Sequence, residues 1–258
     1  MALDNIFIKL KNVSLEIPII DSARLFSKKK LKTFSNSLVG SKKTISNNTV
    51  KSKILDNVSF ELKTGDSVAL LGHNGSGKTT LLRLLSKIYT PTNGELNISG
   101  KISPMLSIGS MTNPDLSGYD NIKVLWILMG KNVDLDHLIQ KVEDFTELDE
   151  FLNLPIKVYS AGMKARLLFA VSTFIKSDIL LADEDLSAGD HFFQEKARKT
   201  LKEYYGDIPI KIFATHRLSL AKESCNKVFL MKKGELQIFD NVQDGIDVYT
   251  NKSYMSVI

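Results

Sequence analysis

The most informative stretch of this chain is Gly72-His73-Asn74-Gly75-Ser76-Gly77-Lys78-Thr79. A glycine, four residues and then Gly-Lys-Thr form the pattern of a loop that binds phosphate. The apolar run before it, Ser67-Val68-Ala69-Leu70-Leu71, predicts a buried parallel strand. The residues after it, Thr80 to Leu85, are rich in helix formers. A strand, a glycine-rich turn and a helix start, in this order, predict a site for a nucleoside triphosphate.

The residue types of this loop suit the chemistry of phosphate binding. Glycines let the backbone bend tightly and turn its N–H groups toward an anion, and the positive end of the following helix points the same way. Lys78 can reach the β- and γ-phosphates, and the hydroxyl of Thr79 can bind Mg²⁺. A chance glycine-rich loop is the alternative, and the flanking strand and helix argue against it. The predicted ATP-binding residues are Gly72, His73, Asn74, Gly75, Ser76, Gly77, Lys78, Thr79 and Thr80.

Length and composition are those of a globular protein that works in a reducing compartment. The chain has 258 residues, of which 43% are hydrophobic, enough for one large domain or two small ones. Its single cysteine, Cys225, excludes an internal disulfide. We find no signal-peptide pattern, and the apolar run Val124–Met129 is too short to span a bilayer. If the protein serves a membrane, we expect another chain to supply the membrane part.

Positive charge is concentrated in one segment near the N-terminus. Residues 22–53 carry nine lysines and arginines and no acid, whereas the net charge of the whole chain is only +5. The rest of the chain is therefore mildly acidic. The segment interrupts two predicted strands as an insertion over about residues 21–52. A solvated loop is one interpretation, and a surface for acidic lipid, an anionic substrate or a partner chain is the other.

Strand and helix patterns alternate along the chain and predict an α/β fold with a mixed sheet. We expect a core over about 1–100 and 177–258, antiparallel at its N-terminal part, interrupted by a helical subdomain over about 101–176. The other predicted strands are Ile6–Leu10, Val13–Ile17, Ile54–Leu62, Glu95–Ile98, Ile179–Ala182 and Ile210–Ala214, with a hairpin over Lys227–Phe239. The other predicted helices are Asn121–Met129, Leu135–Phe145, Ser160–Lys176 and Asp190–Tyr205.

Three polar residues follow apolar strands, where catalytic side chains are often placed. Asp183 stands where a phosphate-loop ATPase has its second Mg²⁺ ligand. The neighbouring Glu184 can orient and deprotonate the attacking water. His216 is a candidate contact of the γ-phosphate. Two acids in an ordinary loop and a structural histidine are the alternatives, and the phosphate loop upstream favours the catalytic interpretation.

These motifs, in this order, resemble those of the ABC ATPases. Tyr159-Ser160-Ala161-Gly162-Met163 resembles the signature motif, and Asp183-Glu184 resembles the end of Walker B. Ser187-Ala188-Gly189-Asp190 is similar to the D-loop, and His216 to the switch histidine. The resemblance implies a head-to-tail dimer in which Ser160, Ala161, Gly162 and Met163 of one subunit close on ATP held by Lys78 of the other. A serine N-cap at a helix start can supply such an anion site.

Two further stretches resemble the ATPases of bacterial polysaccharide exporters, namely Ser103–Gly109 and Asn113–Ile122. The start, Val13 to Pro18 with a long insertion after it, is similar to the O-antigen members. The resemblance implies ATP hydrolysis with Mg²⁺, coupled to export of a lipid-linked polysaccharide such as O-antigen of lipopolysaccharide. It also implies a homodimer at the cytoplasmic face of the inner membrane, with a separately encoded membrane permease and no nucleic acid partner. The basic insertion would then help to receive the anionic glycan.

The chain departs from the family pattern at two places. Ser107 stands at the position of the Q-loop glutamine, which places the usual Mg²⁺ and water contact there in doubt. Ile17 stands at the position of the aromatic A-loop residue that stacks on adenine. We therefore expect base stacking to come from elsewhere.

Two other function classes compete with an exporter ATPase. A soluble ABC ATPase that acts on ribosomes or nucleic acid is supported by the basic segment. The chain carries neither a second cassette nor a long coiled coil, and Phe26 and Phe34 are the only aromatics within that segment. A phosphate-loop kinase or GTPase is the other class, and the Tyr159–Met163 motif argues against it.

Glu184→Gln tests the assignment of the catalytic base. We expect the variant to bind ATP and to turn it over roughly a hundred- to ten-thousand-fold more slowly, the range for loss of a general base. It should also accumulate as an ATP-bound dimer. Steady-state ATPase assays and size-exclusion chromatography measure both effects. Near-normal turnover would exclude Glu184 as the base and direct attention to His216.

Overall fold

The computed structural model describes residues 5–19, 42–46, 49–105, 112–183 and 191–251. The strands within these ranges are β1 (Phe7–Ile19), β2 (Lys42–Ser46), β3 (Thr49–Lys63), β4 (Ser67–Leu71), β5 (Asn93–Ser99), β6 (Ile102–Met105), β7 (Ile179–Asp183), β8 (Ile210–Ala214), β9 (Lys227–Lys232) and β10 (Glu235–Phe239). The α-helices are α1 (Lys78–Leu85), α2 (Gly118–Leu128), α3 (Leu135–Thr146), α4 (Ala161–Phe174), α5 (His191–Asp207), α6 (Leu218–Ser224) and α7 (Val242–Thr250). None of these helices is long and apolar enough to cross a bilayer.

The chain divides into two compact units, one made of residues 1–99 and 212–258 and the other of residues 100–211. In the first unit an antiparallel sheet has the strand order β2-β3-β1-β5. A second sheet of this unit has the order β10-β9-β4-β8, with β9 parallel to β4 and antiparallel to β10. The fold is thus α/β with mixed strand directions and an antiparallel N-terminal part, as the sequence predicts.

Several strand boundaries in the antiparallel sheet differ from the predicted ones. Two predicted strands are one strand, β1, which continues through Asn12 at a φ of 51°. The Asn12 N–H donates to Ser59 Oγ of β3 at 2.8 Å, and the register shifts on either side of this position. A bulge therefore breaks the alternation of side chains without ending the strand. β5 also begins two residues before the predicted strand Glu95–Ile98, at Asn93.

The basic segment is partly built into this sheet. Its residues 42–46 form β2, which pairs with β3, and β3 begins at Thr49. The prediction of a loop is therefore wrong for this part of the insertion. The Lys51 ammonium lies 3.8 Å from the Glu16 carboxylate, and Lys53 forms an ion pair with Asp56. Two of the nine cations are thus paired with acids outside the segment. Residues 20–41 and 47–48 lie outside the described part of the chain.

The core of the first unit surrounds β4. All five residues of this strand are buried, and Val68 to Leu71 pair with Lys227 to Leu230 of β9. The rings of Phe60 and Phe229 meet edge to face at 4.9 Å between centroids. Burying one such aliphatic or aromatic side chain contributes about 1.5–3 kcal/mol. This packing fixes the carboxyl end of β4, from which the phosphate loop starts.

The second unit begins with a strand that the sequence analysis assigned to the helical subdomain. β6 pairs in parallel with β7, with Ile102 opposite Ile179 and Met105 opposite Ala182. Pro104 lies within β6 and obscures the strand pattern, because proline cannot donate to a sheet hydrogen bond. Proline is tolerated at this position because β6 is the last of the described strands in the sheet order. The predicted helical subdomain thus starts with a strand.

Four phenylalanines join the helices of the second unit. The ring of Phe145 of α3 lies 5.5 Å from Phe169 and 5.4 Å from Phe174, both on α4. The ring of Phe193 of α5 lies 5.2 Å from Phe145. Aromatic pairs at such distances, stacked or edge to face, add about 0.5–1.5 kcal/mol each to the free energy of burial. They hold the signature helix, α4, against its neighbours.

A buried asparagine closes the loop before α2. Asn121 is fully buried, and its Nδ2 donates to the carbonyl oxygens of Asn113, Leu116 and Ser117 at 3.1, 3.1 and 2.8 Å. Its Oδ1 accepts from the Asn113 N–H at 2.9 Å. The amide thus replaces the water that these backbone groups would otherwise require.

Asn121→Ala should destabilise the protein by about 2–3 kcal/mol, because the fully buried amide and the four hydrogen bonds that it makes with the backbone are lost together. The loss of stability can be measured by urea unfolding. Fluorescence of the single tryptophan, Trp126 on the same helix, monitors the transition. The matched control is Asn153→Ala at an exposed position of the same unit, which should cost less than about 0.5 kcal/mol. Equal effects of the two changes would contradict the structural role of Asn121.

Candidate nucleotide-binding site

The phosphate loop follows β4 and ends where α1 begins at Lys78. Gly77 has a φ of 112°, and a Cβ there would lie 3.2 Å from the carbonyl oxygen of Ile54. A Cβ at Gly72 would lie 2.5 Å from the carbonyl oxygen of Met231 on β9. Both positions therefore require glycine, one for its backbone conformation and both for the close approach of neighbouring strands.

The phosphate loop offers polar groups to an anion. The first N–H groups of a helix have no partner within it, so the start of α1 attracts an anion. Ser76 is 1% exposed, and its Oγ is a buried atom without a hydrogen-bond partner among the described residues. Nε2 of His73 is likewise buried without a partner among the described residues, and its Nδ1 lies 2.8 Å from the Asn74 carbonyl oxygen. The Ser76 hydroxyl, together with the helix start, fits the oxygens of a nucleotide phosphate.

Lys78 lies folded back over the loop. Its side chain is 9% exposed, and Nζ donates to the carbonyl oxygens of Gly72 at 2.6 Å and His73 at 3.3 Å. The same Nζ lies 3.5 Å from His216 Nε2. Two residues that are 138 positions apart in the sequence are thus brought together, as expected for two contacts of one phosphate chain.

His216 follows β8 at the same edge of the sheet. The Thr215 N–H donates to the Leu70 carbonyl oxygen at 3.3 Å, which places the histidine beside the end of β4. The imidazole Nδ1 lies 3.0 Å from the hydroxyl of Tyr249 on α7. Sequence reasoning missed Tyr249, because it lies 33 residues downstream and belongs to no motif. Only the fold shows this contact.

Asp183 is placed in the second unit, at the carboxyl end of β7. Because β6 runs parallel to β7 with Met105 opposite Ala182, β6 ends at the same edge of the sheet as Asp183. Ser107 lies outside the described residues. The same is true of Glu184 and of the predicted D-loop, Ser187, Ala188, Gly189 and Asp190. Their predicted roles stay predictions.

The signature motif forms the exposed start of α4. Ser160 is the N-cap, as predicted, and its Oγ accepts from the Met163 N–H at 3.1 Å. A Cβ on Gly162 would meet only Ser160 Oγ, at 3.8 Å, so the space before this glycine is open. Ala161 is exposed as well. The start of α4 can therefore approach an anion held by another chain.

A cavity of about 260 Å³ adjoins the signature serine. It is lined by Glu147, Leu148, Phe151, Ser160, Gly162, Met163 and Arg166. Its acidic side chain, Glu147, accepts a hydrogen bond from Lys196 Nζ at 2.5 Å. This contact, reinforced by the charges of Lys196 and Arg166, lowers the pKa of the Glu147 carboxyl. The carboxylate is thus tied to α5.

The predicted site residues fall into two sets. The first unit brings together the loop, Lys78, Thr79 and His216, and the second unit holds Asp183 and the residues Ser160 to Met163. Each set is fixed by the local structure of its own unit.

Comparison with known proteins gives the family. A model of the ABC transporter family matches residues 55–187. The chain belongs to this family. It is 45% identical over 181 residues, 70% of this chain and 76% of the relative, to the O-antigen export system ATP-binding protein RfbE of Yersinia enterocolitica. It is 35% identical over 198 residues, 77% of this chain and 90% of the relative, to the capsule polysaccharide export ATP-binding protein CtrD of Neisseria meningitidis serogroup B.

Solved structures agree on the fold. An ATP-binding cassette described as a dimer bound to ADP and Pi in a post-hydrolysis state superposes with a TM-score of 0.64 at 22% identity. The match covers 90% of this chain and 97% of the cassette. The chain is thus an ABC-type ATPase, related in sequence to the ATPases of polysaccharide export.

Lys78→Ala should weaken ATP binding by about a hundredfold, because the ammonium that meets the phosphates is lost. Isothermal titration calorimetry with ATP measures the change. Lys87→Ala is the matched control, since Lys87 is exposed just beyond α1 and should leave the affinity unchanged. Unchanged affinity of the Lys78 variant would contradict the site.

Proposed function

We propose that this chain is the ATPase that powers export of a lipid-linked polysaccharide, with O-antigen as the preferred class, across the bacterial inner membrane. The observation that carries the proposal is the 45% identity to an O-antigen export ATP-binding protein over 76% of that protein. The buried Lys78 and its contact with His216 support ATP as the substrate. The alternative, an ABC ATPase that acts on ribosomes or nucleic acid, receives no support from these relatives.

The proposed division of labour follows the predicted core and the predicted helical subdomain. The core, about 1–100 and 177–258, holds the phosphates through Lys78 and the N–H groups of the loop. Glu184 accepts the proton of the attacking water, and His216 contacts the γ-phosphate. The helical subdomain, about 101–176, presents Ser160 and Gly162 to ATP on the partner copy. Ser187 to Asp190 are the proposed D-loop, and the segment about 21–52 is the proposed insertion into the core.

Magnesium is part of this proposal. The hydroxyl of Thr79 and the carboxylate of Asp183 are hard oxygen donors of the kind that Mg²⁺ prefers, so the residues present fit the ion. When bound, Mg²⁺ would neutralise charge on the β- and γ-phosphates. Lys78 supplies the second positive charge at the same phosphates.

A homodimer that binds a separate membrane permease completes the proposal. The exposed N-terminus of α4 supports the dimer, because Ser160 already binds the Met163 N–H and leaves the space before Gly162 open. The dimeric state of the similar cassette supports it too. The two ATPase copies would lie at the cytoplasmic face of the inner membrane, and the glycan would be reached through the permease.

Purification of the tagged chain from bacterial membranes in mild detergent tests this function. We expect a polytopic membrane protein to co-purify at a fixed ratio, and the Lys78→Ala variant to abolish the export of surface glycan in cells. Lys87→Ala should support normal export at equal expression. Co-purification with ribosomes or DNA, or normal export by the Lys78 variant, would contradict the proposal.

A further inference from the structure

Tyr249 lies near the end of α7 and is held in place by the core of the first unit. Its half-buried ring packs against a cluster that includes Ala221, Val228 and Ile246. The helix packs closely on the core, since a Cβ on Gly245 would lie 2.5 Å from the Val228 side chain. A tyrosine on such a rigid support presents its hydroxyl at a fixed point. That point is 3.0 Å from His216 Nδ1.

The two nitrogens of His216 face groups of different hydrogen-bonding character. Nε2 faces the ammonium of Lys78 at 3.5 Å, and an ammonium can only donate. Nε2 is therefore the acceptor, and in a neutral imidazole the proton then resides on Nδ1. In this tautomer the Nδ1–H would donate to the Tyr249 oxygen, which lies 3.0 Å away. Tyr249 thus matches the tautomer that the Lys78 contact requires.

Contact with a phosphate requires the opposite tautomer. Phosphate oxygens accept hydrogen bonds, so an imidazole that contacts one through Nε2 must carry its proton there. Nδ1 then becomes an acceptor and needs a donor. A tyrosine hydroxyl can serve, because it donates as well as accepts. The Tyr249 hydroxyl can therefore partner Nδ1 in both tautomers, because its hydrogen can rotate about the bond between the ring and the oxygen.

We propose that Tyr249 is the positioning residue of His216, which orients the imidazole toward the γ-phosphate and partners Nδ1 in both tautomers. The inference rests on the proposed role of His216 as the γ-phosphate contact and extends that role to a residue outside the family motifs. Tyr249 acts through the histidine and does not itself contact the nucleotide. Its hydroxyl should therefore affect turnover and leave the affinity for ATP unchanged.

Tyr249→Phe removes the hydroxyl and keeps the ring that packs on the core. We expect kcat of the purified full chain to fall about two- to tenfold, the range for one neutral hydrogen bond, with KM for ATP unchanged within twofold. Tyr89→Phe is the matched control on a half-buried tyrosine of the same unit and should leave kcat unchanged. Equal melting temperatures of the variants would exclude a loss of fold.

A double-mutant cycle shows whether Tyr249 acts through His216. His216→Gln should lower kcat, and Tyr249→Phe added to it should have no further effect, because the group that it positions is gone. Additive effects, or a normal kcat of Tyr249→Phe beside an impaired His216→Gln, would overturn the role of Tyr249. A normal kcat of His216→Gln would instead overturn the proposed role of His216 itself.

The tautomer can be observed directly by ¹⁵N NMR of histidine-labelled protein above the ordinary histidine pKa of about 6.5. The chain has four histidines, so the His216 signals are assigned by their loss in His216→Gln. We expect a protonated Nδ1 in the nucleotide-free chain, a protonated Nε2 with a non-hydrolysable ATP analogue, and a changed pattern in Tyr249→Phe. An identical pattern in Tyr249→Phe and in the wild type would overturn the proposal.

Discussion

The burial of the Lys78 ammonium is the constraint on which the nucleotide site depends. A cation that is only 9% exposed must be met by oxygen atoms, since burial without partners is costly. The carbonyl groups of Gly72 and His73 supply them. These carbonyl groups reach the ammonium because the loop packs directly against β9. There the carbonyl oxygen of Met231 leaves no room for a Cβ at Gly72. The buried strand β4 and its parallel pairing with β9 therefore determine where the charge lies.

The local structure of the phosphate loop could be predicted from the sequence. The strand, the glycines and the start of α1 are consecutive in the chain, so local pattern and local chemistry coincide. The N-cap role of Ser160 was equally local, because it depends on a bond to an N–H only three residues away. The contact between Tyr249 and His216 could not be predicted. The two residues lie 33 positions apart, and only the packing of α7 brings them together.

The strand boundaries were harder to predict, and the reasons are long-range. β1 continues past Asn12 because Ser59 of the neighbouring strand satisfies the bulge, which no pattern within β1 indicates. β3 extends into a polar, basic segment because β1 and β2 lie on either side of it. Pro104 concealed β6, although an outer strand position tolerates proline. In each case pairing with a neighbouring strand outweighed the local preference.

The basic segment shows that charge counted along the sequence differs from charge displayed on the surface. Lys51 and Lys53 belong to the run of nine cations, and both meet carboxylates from β1 and β3. Their contribution to any anion-binding surface is therefore reduced, because each cation already lies close to an opposite charge. An attraction between this segment and an anionic glycan or lipid would depend mainly on the remaining cations, and salt would weaken it.

The division of the site residues between two units has a thermodynamic consequence for the proposed dimer. Lys78 and His216 are brought together within one unit, whereas Ser160 and Asp183 belong to the other. In the proposed dimer, ATP held by Lys78 of one copy gains the full binding free energy only when Ser160 of the other copy also contacts it, so ATP favours the closed dimer by that difference. Hydrolysis separates the γ-phosphate, the group that His216 is proposed to contact, from the ATP on which Ser160 is proposed to close. The same bond cleavage therefore removes the reason for the subunits to stay closed, which is how an ATPase of this kind can drive a cycle.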